Sequence, residues 1–345
     1  MKTALLSSGR RASAVRSLIL LAVLLVFLAA FGPAIGRYQM SLVTTLLAYV
    51  AAATAWNIIG GIGGQFSLAS SAFIGVGSYV TIMMLRGTGL PLWSCLATAA
   101  VGGALFAALT GVVLFRLRGF YFTIGTLAVA LAALTWMTTF AFTGATTGIS
   151  APLALIPSGA ALYQMALVVA GVATAVGIVV FYSPFGLRLM AVRDDEDVAD
   201  SLGISPFRSK MVAMTLSGAF IGLAGGVFAL QKASIEPFSA FSLDWSITIV
   251  VMVVVGGIGT VWGPTIGAIV IYYGITVQLQ SVPAVSSVIS GILMILVIKF
   301  LPHGIVGGAH NAFASLTRRR NTPPKPPLTP RENELVHPQT SGLEA

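Results

Sequence analysis

The chain has 345 residues, of which 57% are hydrophobic and 8% charged, against about a quarter charged in soluble domains. With a mean hydropathy of +0.94, that balance marks a polytopic membrane protein and excludes a soluble globular one. The net charge of +9 does not argue for nucleic acid, because on a membrane chain the placement of Lys and Arg reports topology.

Charge-free runs long enough to cross about 30 Å of hydrocarbon at 1.5 Å per residue recur from end to end. The expected fold is all-α with about ten transmembrane helices, some broken or short, over 17–36, 39–59, 66–85, 91–115, 120–142, 161–182, 210–231, 245–262, 264–281 and 284–301. The first follows Arg10, Arg11 and Arg16 in the manner of a signal peptide, but no small-x-small cleavage site precedes Arg37, so it reads as a retained helix. Between the second and third spans stands a glycine-dense stretch, GGIGGQFSLASSAFIGVG over 60–77. The fourth contains the one cysteine, Cys95, which excludes an intramolecular disulfide and is expected to serve packing. A charged loop over 188–210 separates the sixth and seventh spans and holds five of the ten acidic residues. A second glycine-dense stretch, GGIGTVWGPTIG over 256–267, joins the eighth and ninth. Beyond the last span, Arg318, Arg319 and Arg320 precede Pro323, Pro324, Pro326, Pro327 and Pro330; this composition predicts a disordered tail over 303–345, whose basic cluster suits a topology anchor or contact with anionic membrane lipid. The expected organisation is a cytoplasmic segment 1–16, a transmembrane domain 17–302 and that tail.

With the N-terminus inside, 16 of the 19 Lys and Arg residues fall on the cytoplasmic side, and Arg37, Arg86 and Lys232 on the other. The positive-inside rule favours this orientation and places both termini in the cytoplasm.

Small residues four apart, such as Gly218, Gly222 and Gly226, let helices approach closely where no hydrophobic force drives them together. Close packing accounts for most of the glycines. The repetition of GGIG in the two halves, with Gln65 in the first and Pro264 in the second, also suits interrupted helices that line a transport route. The candidate path residues are Asn57, Gln65, Phe66, Ser67, Ser70, Ser71, Gly256, Gly257, Gly259 and Pro264, each of which also serves as a packing or helix-to-helix hydrogen-bonding residue.

No acidic residue falls inside an expected span, Glu236 and Asp244 being assigned to an outer loop, which argues against a proton-coupled carrier. The three histidines, His303, His310 and His337, lie at or beyond the last span, and no metal-ligand spacing or Ser-His arrangement is present, so no catalytic or metal-binding residues are expected. There is no GxxxxGK[ST] loop: the chain is expected to bind no cofactor, and any ATP is used elsewhere.

The loop suits contact with such a partner. Asp194, Asp195, Glu196 and Asp197 crowd the start of a short helix, where negative charge complements the macrodipole. Val198, Ala199 and Leu202 are expected on one face, Gly203 as a C-cap, and Pro206 as a stop.

Four segments, GGIGGQFSLASSAFIGVGSY, RLRGFYFTIGTLAVA from Arg116, RDDEDVADSLGI and VVGGIGTVWGPTIGA from Val254, resemble the branched-chain amino acid type of ABC transporter permease, specifically its M subunit. The resemblance runs from about Ala48 to Pro302. It implies an importer of the bacterial inner membrane: a second homologous permease subunit, two cytoplasmic ATPases that bind ATP and Mg, and a periplasmic or surface solute-binding protein. It also implies that the loop, related to the EAA loop of importers, inserts into a groove of the ATPase; matched residue by residue, the coupling element comprises Arg193, Glu196, Ala199, Leu202, Gly203 and Ile204. Asp197 and Val198 stand where relatives more often carry a small aliphatic pair. Relatives of this type carry leucine, isoleucine and valine, and others urea or short amides. A stand-alone carrier or facilitator of a small polar solute is the alternative.

Overall fold

The computed structural model describes residues 2–32, 36–89, 91–278, 291–292 and 304–306. Twelve α-helices follow in order: α1 Lys2–Phe31, α2 Arg37–Trp56, α3 Ser70–Thr88, α4 Leu92–Leu114, α5 Phe120–Thr139, α6 Gly159–Tyr182, α7 Pro184–Asp194, α8 Glu196–Ser201, α9 Pro206–Lys232, α10 Pro237–Ala240, α11 Leu243–Gly256 and α12 Gly263–Ile271. Two-residue strands β1 Ile149–Ser150 and β2 Ser234–Ile235 pair antiparallel, Ile149 opposite Ile235.

Seven helical stretches among the described residues are long and apolar enough to cross a membrane: Gly9–Phe31, Arg37–Ile62, Leu92–Leu114, Phe120–Thr139, Gly159–Tyr182, Pro206–Lys232 and Pro237–Gly256. The third expected span forms α3, whose serines, Tyr79 and Arg86 lower its hydropathy and leave it outside that set. The ninth is described to residue 278, as α12 and a π-helical turn Tyr272–Thr276. The expected tenth lies outside the described residues save 291–292, as does the expected tail save 304–306.

The first helix runs Lys2–Phe31 where 17–36 was expected, and three further boundaries differ for local reasons. The expected eighth span, 245–262, begins earlier and ends at Gly256, because Ser242 caps α11 by accepting from Asp244 N at 3.3 Å and Gly257 takes φ 126. Asp244, expected in an outer loop, therefore lies in the first turn of α11, within the stretch Pro237–Gly256 that is long and apolar enough to cross a membrane. Residues 64–68, expected partly in the third span, form no regular secondary structure, and Gly64 takes φ 67. The start of the 188–210 loop is helical, since Pro184 at the first turn and the Ser183 cap, 3.1 Å from Gly186 N, nucleate α7.

α9 lies at the centre and packs on α2, α3, α4 and α6. Its glycine stripe explains the closeness: a methyl at Gly77 of α3 would collide with the Gly222 carbonyl, and one at Gly103 of α4 with that of Gly218. Without hydrophobic force between helices in lipid, such backbone-to-backbone contact supplies the dispersion energy that holds them. The outer helices show the complementary pattern. α1, α4 and α5 leave Val26, Leu109, Val113, Phe120 and Trp136 exposed, apolar surface that suits lipid. α1 is held to α6 by Tyr163 Oη donating to the Leu28 carbonyl at 2.7 Å and by Arg10 Nη2 donating to that of Phe181 at 3.1 Å.

Candidate functional site: a broken-helix crossing and the loop that touches it

α2 does not stop at Trp56. It widens into a π-helix, Asn57–Ile62, and then runs without regular structure to Leu68. Gly60, Gly61, Gly63 and Gly64 make this cheap, since glycine gains least from a helix. In an apolar medium the freed backbone groups still need partners, and side chains of α2 itself, α5 and α11 supply them. Trp56 Nε1 donates to the Ser67 carbonyl at 2.7 Å, and Thr123 Oγ1 to that of Phe66 at 2.9 Å. Thr126 Oγ1 accepts from Leu68 N at 3.0 Å. Ser246 Oγ serves both sides of the break, donating to the Leu68 carbonyl at 2.7 Å and accepting from Ser71 N at 2.8 Å.

The second GGIG is a turn. Gly257 and Gly259 take positive φ, and Thr260 Oγ1 donates to the Gly257 carbonyl at 2.8 Å while accepting from Gly263 N at 3.1 Å, so α12 restarts with Pro264 in its first turn. Asn57 joins the two breaks: its Nδ2 donates to the Thr260 carbonyl and its Oδ1 accepts from Gly259 N, both at 2.9 Å. Side chains would not fit here, because a Cβ on Gly61 would meet Gly259 N and Asn57.

The structure thus brings Asn57, Gly257 and Gly259 to one crossing. Ser67, Ser70 and Ser71 follow on the irregular stretch and the start of α3, Gly256 closes α11, and Gln65 and Phe66 are half-buried. Phe66 sits edge-on to Trp56, centroids 5.5 Å apart. The hydroxyls of Ser70 and Ser71 are buried without a hydrogen-bond partner among the described residues. The larger cavities are lined by other residues.

Next to the crossing stands the charged loop. Asp195 ends α7 and caps α8, its Oδ1 accepting from Asp197 N and Val198 N at 3.0 Å. Gly203, at φ +80, closes α8 in a Schellman motif: Ile204 N donates to the Ala199 carbonyl at 3.0 Å and Gly203 N to that of Asp200 at 2.8 Å. Pro206 then opens α9. The expected single apolar face is divided. Ala199 is buried, whereas Val198 and Leu202, one turn apart, are 55% and 74% exposed.

Two contacts fasten this loop to the membrane body. Arg193 Nη1 donates to the Gly61 carbonyl at 2.9 Å, in the π-helical turn. Glu196 Oε2 meets Lys210 Nζ at 2.6 Å, with the lysine side chain 3% exposed, which ties α8 to the first turns of α9. A buried lysine depends on such a partner. Arg118 and Asp197 also pair, at 3.3 Å, but in solvent. Sequence reasoning missed Trp56, Thr123, Thr126, Lys210 and Ser246; a hydroxyl in the apolar run of α11 was the available signal for Ser246, and the others carry none at short range.

The family model described as branched-chain amino acid transport system / permease component matches residues 38–298. The chain is 27% identical over 324 residues to the high-affinity branched-chain amino acid transport system permease protein LivM of Escherichia coli K12, covering 85% of this chain and 76% of that protein. The same figures hold for LivM of Salmonella typhimurium LT2. Over 51 residues, 15% of this chain and 16% of the relative, it is 39% identical to the guanosine ABC transporter permease protein NupQ of Bacillus subtilis 168. No solved structure matches. With these helices and this match over most of its length, the chain belongs to the branched-chain amino acid transport permease family and is a multi-pass protein of the bacterial inner membrane.

Proposed function

We propose that the chain is one of two permease subunits of an ABC importer for branched-chain amino acids or a related small solute, with both termini and the α7–α8 elbow in the cytoplasm and ATP hydrolysed by separate subunits. The observation that carries this is the linkage of the elbow: it exposes Val198 and Leu202 on a capped helix, and behind them Arg193 and Glu196 reach the π-helical break and the base of α9. Such a loop is built to pass a displacement from a soluble partner into the membrane helices. The names of the matching relatives supply the solute class. The tail, the solute-binding protein and the partner count stand on the family resemblance.

The test is uptake and ATP hydrolysis by the chain assembled with ATPase and permease subunits of the same transport system. Leu202→Asp is expected to prevent ATPase association, and Glu196→Lys to lower leucine uptake at least about tenfold, as for a broken buried pair, with partial recovery in the Glu196→Lys, Lys210→Glu double variant. Unchanged uptake in these variants would return the elbow to the role of a solvated connector. One observation favours the stand-alone carrier: Asp244 inside a membrane-crossing stretch. Ion-driven uphill uptake by the chain alone in liposomes would decide for that reading.

A further inference from the structure

α10 and the start of α11 border two spaces of unequal size. One, of about 490 Å³, has Tyr49, Phe238, Asp244 and Thr248 in its wall. The other, of about 20 Å³, has room for a single water, and its floor is Ile74 and Ser78 of α3 with Phe228 and Ala229 of α9, all buried. Ser239 and Trp245 stand in both walls, so these two residues divide the spaces. Below the floor, Ser78 is seven residues along α3 from Ser71, about 10 Å from the break at the crossing.

The divide is held by polar contacts within reach of water. Trp245 Nε1 donates to the Ser239 carbonyl at 2.9 Å, and Lys232 Nζ donates to Ser239 Oγ at 3.3 Å while lying 5.5 Å from the centre of the Trp245 ring. Water replaces such contacts at little net cost, unlike the seam of α3 and α9 beneath, where a methyl at Gly77 or Gly225 would meet backbone. The chain leading into α10 also carries strain: Ala233, which ends α9, takes φ +59, a conformation that favours glycine and is found at switch segments. On the other side, Trp245 is followed by Ser246, whose hydroxyl joins both sides of the first break. A shift of this turn of α11 that draws Trp245 from Ser239 therefore also pulls on the bonds of Ser246 to Leu68 and Ser71.

We propose that Ser239, Trp245 and Lys232 form a gate at the outer side of the membrane, closed in this structure, which opens when the first turn of α11 parts from α10 and is coupled to the crossing through Ser246. The proposal rests on the permease reading and its orientation. The elbow reaches the same crossing from the other side, through Arg193 and the Gly61 carbonyl, so both ends of the route act on one set of backbone groups.

The experiment uses the whole transporter, with its ATPase, permease and solute-binding subunits, in right-side-out vesicles. In a Ser78→Cys variant, a charged, membrane-impermeant maleimide added outside labels the new thiol slowly at rest and faster while ATP sealed inside and leucine outside drive turnover. A resting open population of at most about 10% makes the expected rise about tenfold. Ala229→Cys, in the same floor, takes its place should Ser78→Cys fail to assemble. In a variant carrying Ser239→Cys and Trp245→Cys, uptake is lost when a short bis-methanethiosulfonate joins the two thiols and returns on reduction; should that variant be inactive beforehand, the labelling decides. Leucine uptake by the unsubstituted assembly together with labelling equal at rest and in turnover, or with uptake undiminished by the cross-link, overturns the gate and leaves the permease reading standing. Labelling from the inner face alone overturns the orientation and the gate with it. Absence of ATP-driven uptake by the unsubstituted assembly overturns the permease reading and the gate together.

Discussion

The same four letters, GGIG, give two different backbones in this protein. At 60–63 they continue α2 as a wide helical turn, and the chain leaves it as an irregular stretch; at 256–259 they end α11 in a turn with two glycines at positive φ. The first break depends on others: its carbonyls and amides are met by Trp56, Thr123, Thr126, Arg193 and Ser246. The second meets much of its own demand through Thr260 and the restart at Gly263. The lesson is that glycine content permits an interruption, while its form is decided by which polar side chains the neighbouring helices present.

That contrast makes graded predictions, all read as the shift in thermal unfolding of the purified chain in detergent. Gly256→Ala has the largest expected effect, about 3 kcal/mol, because its methyl would drive into the backbone of Gly263 and Gly267. Gly60→Ala, at the matching letter, presses on the Trp56 side chain instead and costs about 1–2 kcal/mol. Equal losses would erase the distinction between a self-contained turn and a supported break. Asn57→Ala strands Gly259 N and the Thr260 carbonyl, worth about 2 kcal/mol, and Ser246→Ala is expected to match it by stranding groups on both sides of the first break. A silent Asn57→Ala would show that the crossing does not need its bridge. Arg118→Ala serves as the reference outside both breaks: with its pair 71% and 80% exposed, the loss stays below about 0.5 kcal/mol.

Much of this was legible in the sequence where the determinants are local. Asp195 and Gly203 cap α8 from two or three residues away, and the charge-free runs locate α2, α4, α5, α6 and α9 to within several residues, whereas α1 begins at Lys2, fifteen residues before the expected start. The expectation of one apolar face on α8 failed because Ala199, Val198 and Leu202 subtend more than one side of a six-residue helix and the body of the protein takes only Ala199. Asp244 was assigned to a loop because hydropathy begins to rise after it; the Ser242 cap that draws it into α11 is a polar signal which hydropathy does not register. The partners at the crossing were illegible for a different reason. Asn57 and Gly259 are 202 residues apart, and Arg193 and Gly61 132, so nothing in either neighbourhood specifies the other.

These separations set a schedule for biogenesis. The bond from Asn57 to Thr260 joins residues 203 positions apart, which is about 10–40 s of synthesis at 5–20 residues per second. Thr123, Thr126 and Arg193 emerge within that interval, but the Asn57 amide waits for Gly259 and Thr260, and Leu68 and Ser71 for the Ser246 hydroxyl, until its end. The first break is therefore completed after the second half of the chain has been inserted, and a chain truncated before α11 is left with a hinge that the membrane cannot solvate.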